Sequence, residues 1–380
     1  MRILIISNCP LDPNQGSGYV ITGYAQHMRE RGHQVTAYGI EHFTPFPQMR
    51  RLTRIRRLLG YAYTAVRHAR ASSYDIVELW GAEGWLALLC LRALGRHHPI
   101  PVSRSNGLET HWHQLLRQPD TSWRARVRRY IQELPEIAFR GCAALTLVSH
   151  YDARYARERG YQPEQRLLVM ENALEPSWLH QSPLFEREPV IGFVGAWLAN
   201  KGSELLIPVI ERVLASTPSA RFVLIGVGTQ GQAALAQAFP GEARVIAIAS
   251  CPRAELRAHY HRMALLLMPS VFESFGLVAA EAMSCGVALV STRVGFAADL
   301  SPAECTHLDE RTPASIARTL TALLSDERRR QDQARAGHAR VQALEWAPVA
   351  DQLETLYQTL LAPPAEAASE AMARIPHASR

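Results

Sequence analysis

The amino-acid sequence predicts an α/β protein with two domains of similar size, each built around a parallel sheet. Short apolar segments recur along the chain and alternate with helical or loop segments, which is the pattern of parallel-sheet proteins. The pattern restarts at Val190, after a segment that is rich in prolines and acids. The chain has 380 residues, a length that favours roughly two to three domains over a single core.

The first domain is predicted to span residues 1–175. Its first strand, Met1 to Ser7, leads into a glycine-containing loop from Pro10 to Gly18. A helical pattern around Tyr24 to Glu30 stops at a glycine, and a second strand runs from Gln34 to Tyr38. Further apolar segments predict strands at 75–79, 100–103 and 145–149.

A linker at 176–189 precedes the second domain, which is predicted to span residues 190–345. Residues 346–362 are expected to form a C-terminal helix. The tail at 363–380 is rich in Ala, Pro, Glu and Ser, and we expect it to be disordered. Within the second domain the pattern predicts strands at 190–195, 221–226 and 264–268, and a helix at 204–216.

Composition excludes several classes of protein. The longest apolar stretch, Trp85 to Leu94, contains Arg92 and is shorter than the ~20 residues that a membrane-spanning helix needs. The segment Met1 to Ser7 is too short for a signal peptide. The six cysteines show no C-x-x-C or Cys/His ligand spacing, so we expect a cytoplasmic protein without disulfides or zinc. The net charge of +6 comes without a recognised nucleic-acid-binding module, so nucleic acid is not an expected partner.

The densest group of site residues follows the predicted strand at 264–268. A helix from about Phe275 to Gly286 would present unpaired amides and the positive end of its dipole, which suit a phosphate or diphosphate. A carboxylate beside this anion would repel it, so Glu273 is better suited to sugar hydroxyls and Glu281 to those of a ribose. A solvated helix with an acidic N-terminus is the alternative interpretation. The expected binding residues are Glu273, Ser274, Phe275, Gly276, Leu277, Val278 and Glu281.

The stretch from Glu273 to Glu281 resembles the E-x7-E signature of retaining glycosyltransferases of family 4, which have the GT-B fold. The resemblance implies two Rossmann-like domains with a cleft between them, the first binding the acceptor and the second a nucleotide sugar. It also implies that the helix from Trp346 to Leu361 crosses back onto the first domain. Other short stretches resemble turns of that family and occur in the same order, at 31–35, 172–175, 194–202, 224–228 and 294–299.

Three further donor-binding elements follow from the resemblance. Lys201, the only lysine in the chain, stands where the family's lysine contacts the donor diphosphate, on the turn that also contains Gly195. The place usually held by an arginine on this turn is taken by Ala196. Gly226 belongs to the next glycine turn. The stretch from Gly16 to Gly18 resembles the family's glycine loop, whose backbone amides can approach a phosphate.

The residues expected beside the acceptor or the reacting sugar follow the strand at 100–103. Family members often have a histidine next to the sugar, and Asn106 stands at that place. Asparagine can hydrogen-bond a hydroxyl but cannot take a proton, so either its role is positional or His111 or His113 reaches the sugar. Glu109 lies in the same segment. The alternative for both histidines is that they are ordinary loop residues.

Two arginine clusters indicate a further partner. One lies at Arg50–Arg57 and the other at Arg124–Arg129, and both are interleaved with apolar residues. Basic amphipathic helices with aromatic residues suit anionic membranes, which predicts peripheral attachment to the inner face of the cytoplasmic membrane. The alternative is a solvated face over an ordinary core stripe.

The predicted function is retaining transfer of a sugar from a nucleotide diphosphate donor to a hydroxyl acceptor, in cell-surface glycan, glycolipid or polysaccharide synthesis. No Asp-x-Asp motif occurs in the chain, so we expect no metal and no cofactor. No well-placed carboxylate nucleophile is evident, and the family resemblance implies front-face displacement, with Lys201, Glu273 and Asn106 as the expected catalytic residues. Two alternatives stay open: a nucleotide-sugar epimerase or hydrolase on the same fold, and a non-catalytic membrane-bound scaffold.

Overall fold

The computed structural model describes residues 1–14, 16–43, 52–95, 99–116, 120 and 122–362. The chain forms two compact units. The first comprises Met1–Leu147, Tyr155–Met170 and the C-terminal helix from Trp346, and the second comprises Val148–Arg154 and Glu171–Glu345. The tail at 363–380, which we expect to be disordered, lies outside the described residues.

Parallel strands form the sheet of each unit, as the sequence predicts. Within the described residues, the first sheet has six strands in the order β2-β1-β3-β4-β5-β6. They are β1 (Arg2–Ser7), β2 (Gln34–Tyr38), β3 (Ile76–Trp80), β4 (Ile100–Ser105), β5 (Ala144–Leu147) and β6 (Leu167–Val169). The second sheet, in the same described part of the chain, has the order β12-β11-β10-β7-β8-β9. Its strands are β7 (Val190–Val194), β8 (Arg221–Ile225), β9 (Val245–Ile248), β10 (Leu265–Met268), β11 (Ala288–Ser291) and β12 (Cys305–His307).

Helices cover the faces of both sheets, so the central strands are largely buried on both sides. All residues of β3 and of β10 are buried. The helices up to residue 158 are α1 (Gly16–Glu30), α2 (Ile40–Phe43), α3 (Thr53–Ala71), α4 (Gly84–Ala93), α5 (Glu109–Leu115), α6 (Trp123–Glu133), α7 (Glu136–Gly141) and α8 (His150–Glu158). The later helices are α9 (Pro176–Leu179), α10 (Ser203–Ser216), α11 (Gly228–Ala238), α12 (Arg253–Tyr260), α13 (Leu277–Ser284), α14 (Pro313–Ser325), α15 (Glu327–Val341) and α16 (Trp346–Leu361). Short 3-10 turns lie at Glu164–Arg166, Ala199–Lys201 and Gly295–Asp299. Among the helices of the described residues, none is long and apolar enough to cross a membrane. Of the two predicted arginine clusters, the one at Arg124–Arg129 belongs to α6; Arg54, Arg56 and Arg57 of the other lie on α3, and Arg50 and Arg51 lie outside the described residues.

The structure differs from the sequence prediction in the segment 176–189. This segment is not a free linker but part of the second unit, where Trp178 and Leu179 of α9 are buried in the hydrophobic core. Arg187 donates hydrogen bonds to the backbone carbonyls of Tyr260, Met263 and other residues of the same unit. Prolines and acids in the sequence therefore mark a fixed, irregular segment here.

Helix α16 packs on the first unit through its first residue and through its last turns. The Trp346 ring stacks on His27 at 5.0 Å between ring centres and meets the Tyr24 ring edge-on at 5.2 Å. Near the other end, the buried Tyr357 hydroxyl donates a hydrogen bond to Glu78 on β3. The helix thus spans the first unit with an aromatic contact at one end and a polar contact at the other.

Glu78 belongs to a buried charge network. Its carboxylate accepts a hydrogen bond of 2.7 Å from the Trp80 indole and lies 3.5 Å from the guanidinium Nε of Arg104 on β4. Arg104 is held between the rings of Tyr24 and Trp80, at 4.1 and 4.5 Å from their centres. A buried carboxylate needs such partners because desolvation penalises its charge strongly. Tyr357 supplies one of them, so α16 completes the network.

Replacing Tyr357 by Phe removes one donor from this buried carboxylate. We expect the free energy of unfolding, measured in urea, to fall by about 2 kcal/mol, as is usual for the loss of a hydrogen bond to a charged group. Tyr63→Phe, which changes an exposed tyrosine on α3, is the control and should leave the urea midpoint unchanged. Equal midpoints for Tyr357→Phe and the wild type would contradict a role for this hydroxyl.

Candidate active site

The strand order of each sheet reverses once. The reversal lies between β1 and β3 in the first sheet and between β7 and β10 in the second. In open α/β sheets, ligands bind beyond the carboxyl ends of the strands at such a reversal. In the second unit, the segments after β7 and β10 contain Lys201 and Glu273, whereas the predicted residues Asn106 and Glu109 of the first unit follow the neighbouring strand β4.

In the second unit, the structure brings Lys201 and Glu273 together. The Lys201 ammonium donates to both carboxylate oxygens of Glu273, at 2.7 Å each. The Ser270 hydroxyl donates to Oε1 of the same carboxylate at 2.7 Å. The side chains of Lys201 and Glu273 are 30% and 10% exposed, so the lysine is the more accessible partner. An ammonium and a carboxylate are therefore held within one hydrogen bond of each other at the carboxyl ends of β7 and β10.

Backbone hydrogen bonds fix the two loops that carry this pair. The Val271 amide donates to the Asn200 carbonyl at 2.8 Å, which ties the loop after β10 to the turn that contains Lys201. The Thr292 hydroxyl donates to the Ser270 carbonyl at 2.6 Å. The Arg311 guanidinium donates to carbonyls of both loops, those of Pro269 and Ala199. The separation of the two charged groups is thus set by the backbone as well as by their attraction.

The N-terminus of α13 lies directly after Glu273 in the chain. The helix begins at Leu277, two residues later than the sequence predicts, because Gly276 adopts a left-handed conformation with φ of +88° and caps the helix. No side chain caps this end, and the first amides of any helix lack an intrahelical acceptor. Ser274, Leu277 and Val278 are partly exposed, whereas the Phe275 side chain is buried against Phe296. The backbone here has the donors and the dipole that attract an anion.

Glu281, the second acid of the predicted signature, has a different environment. It is 3% exposed. One carboxylate oxygen lies 2.7 Å from Nη2 of Arg253, and the other accepts a hydrogen bond of 3.3 Å from the Tyr260 hydroxyl. Burial raises the pKa of Glu281, which Arg253 and Tyr260 partly offset. A ribose hydroxyl would have to compete with these two partners for the carboxylate.

The glycines predicted to bind the donor differ in how they are placed. Gly195 and Gly226 each donate their amide to the neighbouring strand at 2.9 Å, so these two donors are used within the sheet. Gly16 begins helix α1, where the sequence predicts a loop. A Cβ atom at Gly18 would lie 2.2 Å from the Asp12 carbonyl oxygen, so glycine is required for the close approach of helix and loop.

In the first unit, Glu109 lies beside a second carboxylate that the sequence does not single out, that of Glu83. The Ala82 amide donates to Oε1 of Glu109 at 3.1 Å, while its Oε2 is buried without a partner. Asn8, which follows β1, donates to Glu83 at 2.8 Å. Burial raises the pKa of Glu109 to about 7, with a further contribution from the charge of Glu83. Among the residues that the structure describes, no group of three His, Cys, Asp or Glu side chains is placed to hold a metal ion.

The other predicted residues of this unit divide into two kinds. Oδ1 of Asn106 is buried and makes no hydrogen bond, so an acceptor atom is open in the loop after β4. His111 is buried and stacks on Tyr155 at 4.2 Å between ring centres, which is a packing role. His113 is half-buried with its Nδ1 unbonded, and burial lowers its pKa, to which the charge of Arg54 adds.

Models of known protein families match both halves of the chain. A model described as "Glycosyltransferase Family 4" matches residues 15–178, and one described as "Glycosyl transferases group 1" matches residues 175–340. The chain belongs to the family 4-type glycosyltransferases.

Individual relatives agree with this assignment. The chain is 26% identical over 291 residues to the phosphatidylinositol N-acetylglucosaminyltransferase gpi3 subunit of Schizosaccharomyces pombe, covering 75% of this chain and 61% of that protein. The chain thus spans about six-tenths of the length of this curated relative.

Solved structures confirm the predicted GT-B fold. Sucrose-phosphate synthase from Thermosynechococcus elongatus has a TM-score of 0.76 at 18% identity, over 94% of this chain and 98% of that one. Anabaena HepE in complex with UDP-glucose has a TM-score of 0.68 at 17% identity, over 94% of this chain and 100% of that one.

The raised pKa of Glu109 predicts a pH-dependent stability. Because the folded-state pKa lies near 7 and the ordinary value near 4.5, the folded protein binds the extra proton between these values, and stability falls as the pH rises through this window. Glu109→Gln removes the titrating carboxyl and with it the pH-dependent loss of stability. The melting temperature of the variant minus that of wild type should therefore be larger at pH 8 than at pH 5. Glu255→Gln, at an exposed position of α12, is the matched control. A difference that is the same at both pH values would contradict the buried state of the carboxyl.

Proposed function

We propose that this glycosyltransferase moves a sugar from a nucleotide diphosphate donor to a hydroxyl acceptor with retention of configuration and without a metal ion. The observation that carries the proposal is the Lys201–Glu273 pair, which precedes the uncapped N-terminus of α13 at the strand-order reversal. The ammonium and the free amides can bind a diphosphate, and the carboxylate can accept hydrogen bonds from a sugar. The complex of Anabaena HepE with UDP-glucose supports this donor class.

Donor binding would redistribute the contacts of the pair. The diphosphate is an acceptor-only group that competes with Glu273 for the Lys201 ammonium and accepts hydrogen bonds from the amides of Leu277 and Val278. Released from the lysine, the Glu273 carboxylate accepts hydrogen bonds from sugar hydroxyls. Ser270 stays bonded to it and keeps it in position.

The chemical step would be front-face displacement. The bond between the anomeric carbon and the diphosphate oxygen breaks, and the acceptor oxygen bonds to the same face of that carbon. The acceptor's proton passes to the departing diphosphate. Lys201 and the α13 amides stabilise the negative charge that develops on this group, which is the kind of preorganised electrostatic contribution that usually dominates. Because Ala196 supplies no second charge, the rate should depend strongly on Lys201.

The acceptor would bind in the first unit. Oδ1 of Asn106 and Oε2 of Glu109 are acceptor atoms without partners, and Asn8 and Glu83 lie close to Glu109. Such groups suit the hydroxyls of a polyol or sugar. The S. pombe relative is named for phosphatidylinositol, so inositol-containing acceptors are the first to test. We place the reaction in the cytoplasm, in glycan, glycolipid or polysaccharide synthesis.

A donor screen tests the donor class. Purified protein with chelator present is mixed with UDP- and GDP-sugars, and thermal stabilisation and slow release of the nucleotide diphosphate are measured. We expect one donor to stabilise the fold and to be hydrolysed slowly. Stabilisation by none of them, or only after a divalent metal is added, would contradict the proposed site.

Substitution of Lys201 tests its role directly. Lys201→Ala should lower kcat/KM by at least about 100-fold, the scale of losing one charge-stabilising donor, and Lys201→Arg should recover only part of it because a guanidinium is planar and larger. Arg328→Ala, far more exposed on α15, is the control. Activity of Lys201→Ala within a few-fold of wild type would refute the assignment.

The single lysine of the chain allows an independent test of the contact between Lys201 and the donor diphosphate. Because Lys201 is the only lysine, an amine-reactive acylating reagent has one side-chain target, and the α-amino group serves as internal reference. A bound donor should slow acylation of Lys201 and leave the reference rate unchanged. Equal rates with and without a donor that stabilises the fold would show that the diphosphate does not contact this lysine.

A further inference from the structure

Arg311 lies in the loop between helix α14 and strand β12, which is at the edge of the second sheet. Its guanidinium donates from Nε to the Pro269 carbonyl at 2.8 Å and from Nη2 to the Ala199 carbonyl at 3.3 Å. Pro269 follows β10 and Ala199 follows β7, strands that lie two and three places away from β12 in the sheet. One side chain from the edge of the sheet therefore joins two loops at its centre.

The Ala199 carbonyl belongs to the 3-10 turn that ends at Lys201. It accepts the Gly202 amide at 3.0 Å in addition to Arg311, so the guanidinium holds the turn two residues before the lysine. The Lys201 amide donates to the Leu198 carbonyl of the same turn at 2.9 Å. The backbone of the lysine is therefore held by the turn, and the turn is held by Arg311.

The Pro269 carbonyl has the matching place on the other loop. Pro269 precedes Ser270, whose hydroxyl donates to Glu273 at 2.7 Å, and both Pro269 and Ser270 are buried. A Cβ atom at Gly202 would lie 2.7 Å from the Pro269 carbonyl oxygen, so the turn and this loop approach closely at the atom that Arg311 bonds. Arg311 thus acts at the point where the two loops meet.

The planar guanidinium suits this place. Its donors point in fixed directions in one plane, so a single group can bond two carbonyls and a carboxylate at once. Nη2 also donates to Oε1 of Glu204, in the first turn of α10, at 2.5 Å. The side chains of Arg311 and Glu204 are 30% and 45% exposed, and an ion pair with such exposure contributes little by itself. The two carbonyl bonds are the contacts that connect the loops.

We propose that Arg311 is a positioning residue of the transfer reaction, which holds Lys201 and Glu273 at a fixed separation through the backbone of their loops. The inference rests on the proposed function, in which the diphosphate takes the ammonium and the sugar takes the carboxylate. After that exchange the two side chains no longer bond each other, so their separation depends on contacts between the loops. The bond from Val271 to Asn200 at 2.8 Å and the two bonds of Arg311 are such contacts.

This role differs from that of Lys201, which would contact the donor itself. A slightly displaced loop still lets the ammonium and the carboxylate each bind their part of the donor. The ammonium then lies less favourably against the charge that develops on the departing diphosphate, which is a loss felt in the transition state. Loss of Arg311 should therefore lower kcat more than it raises the KM for the donor.

Arg311→Gln tests this role in the full chain, with release of the nucleotide diphosphate from the stabilising donor as the assay. We expect kcat to fall at least about tenfold and the donor KM to change less than about threefold, since a small misplacement at a reacting centre has effects of this size. Arg311→Lys keeps the charge without the planar fork and should recover only part of kcat. Arg318→Gln, at an exposed position of α14, is the matched control.

Melting temperatures confirm that each variant folds. Unchanged kcat in folded Arg311→Gln overturns the proposal. If Arg311→Gln does not fold, Arg311→Lys carries the kinetic test, and wild-type kcat in that variant overturns the proposal in the same way.

Glu204→Gln separates the carbonyl bonds from the ion pair. Both carbonyl bonds of Arg311 remain in this variant, so kcat should stay within about threefold of wild type. A loss as large as that of Arg311→Gln would assign the effect to the ion pair with α10 and overturn the proposal.

The single lysine gives a readout that needs no catalysis. Protein labelled with α-15N-lysine has one labelled backbone amide, that of Lys201. Arg311→Gln should shift or broaden its NMR signal in donor-free protein, and Arg318→Gln should not. The difference from wild type should grow when donor binds, because the ion pair then no longer links the loops. An unshifted signal in folded Arg311→Gln, or a difference that vanishes with donor bound, overturns the proposal.

The same readouts separate this proposal from the proposed function. If no donor binds, the proposed function fails, while the donor-free signal of Lys201 still reports whether Arg311 holds the turn. If a donor binds and Lys201→Ala removes activity while Arg311→Gln keeps kcat, the proposed function stands and the positioning role is refuted.

Discussion

The reversal of strand order in each parallel sheet is the constraint on which both sites depend. Where neighbouring strands connect in opposite directions, the loops after their carboxyl ends separate and leave space for side chains from several elements. At β7 and β10 this space holds Lys201 and Glu273, and at β1 and β3 it holds Asn8 and Glu83. Glu109 joins the second group from the neighbouring strand β4. The sheets thus position the functional side chains, and the chemical groups of those side chains determine which ligand can bind.

The carboxylates of Glu273, Glu281 and Glu109 lie in three different environments. Glu273 is neutralised by Lys201 and can exchange that partner for a ligand. Glu281 is held by Arg253 and Tyr260 deep in the core, where exchange is harder. Glu109 is buried beside the carboxylate of Glu83, and its burial is expressed as a raised pKa. These three acids therefore differ in accessibility because of the partners that the fold brings to them.

Sequence patterns predict the sheets well and the side-chain partners poorly. Strand β2 and helix α16 have the predicted bounds, because an apolar run or a helical period can be recognised within a single segment of the sequence. The start of α1 at Gly16 was not predicted, since the glycines there serve a close backbone approach that only the fold creates. Arg253 and Glu83 carried no signal, because each acquires its meaning from a residue 28 or 26 positions away. Such pairings follow from topology and cannot be read from local spacing.

The order in which the chain is synthesised gives the docking of α16 another consequence. The first unit is completed by a helix that is synthesised after every residue of the second unit. Until then Glu78 and Arg104 lack the Tyr357 hydroxyl, and the rings of Tyr24 and His27 lack their contact with Trp346. Nascent chains therefore lack these contacts in the N-terminal half until α16 has been synthesised, which makes docking of this sixteen-residue helix the step that closes its core.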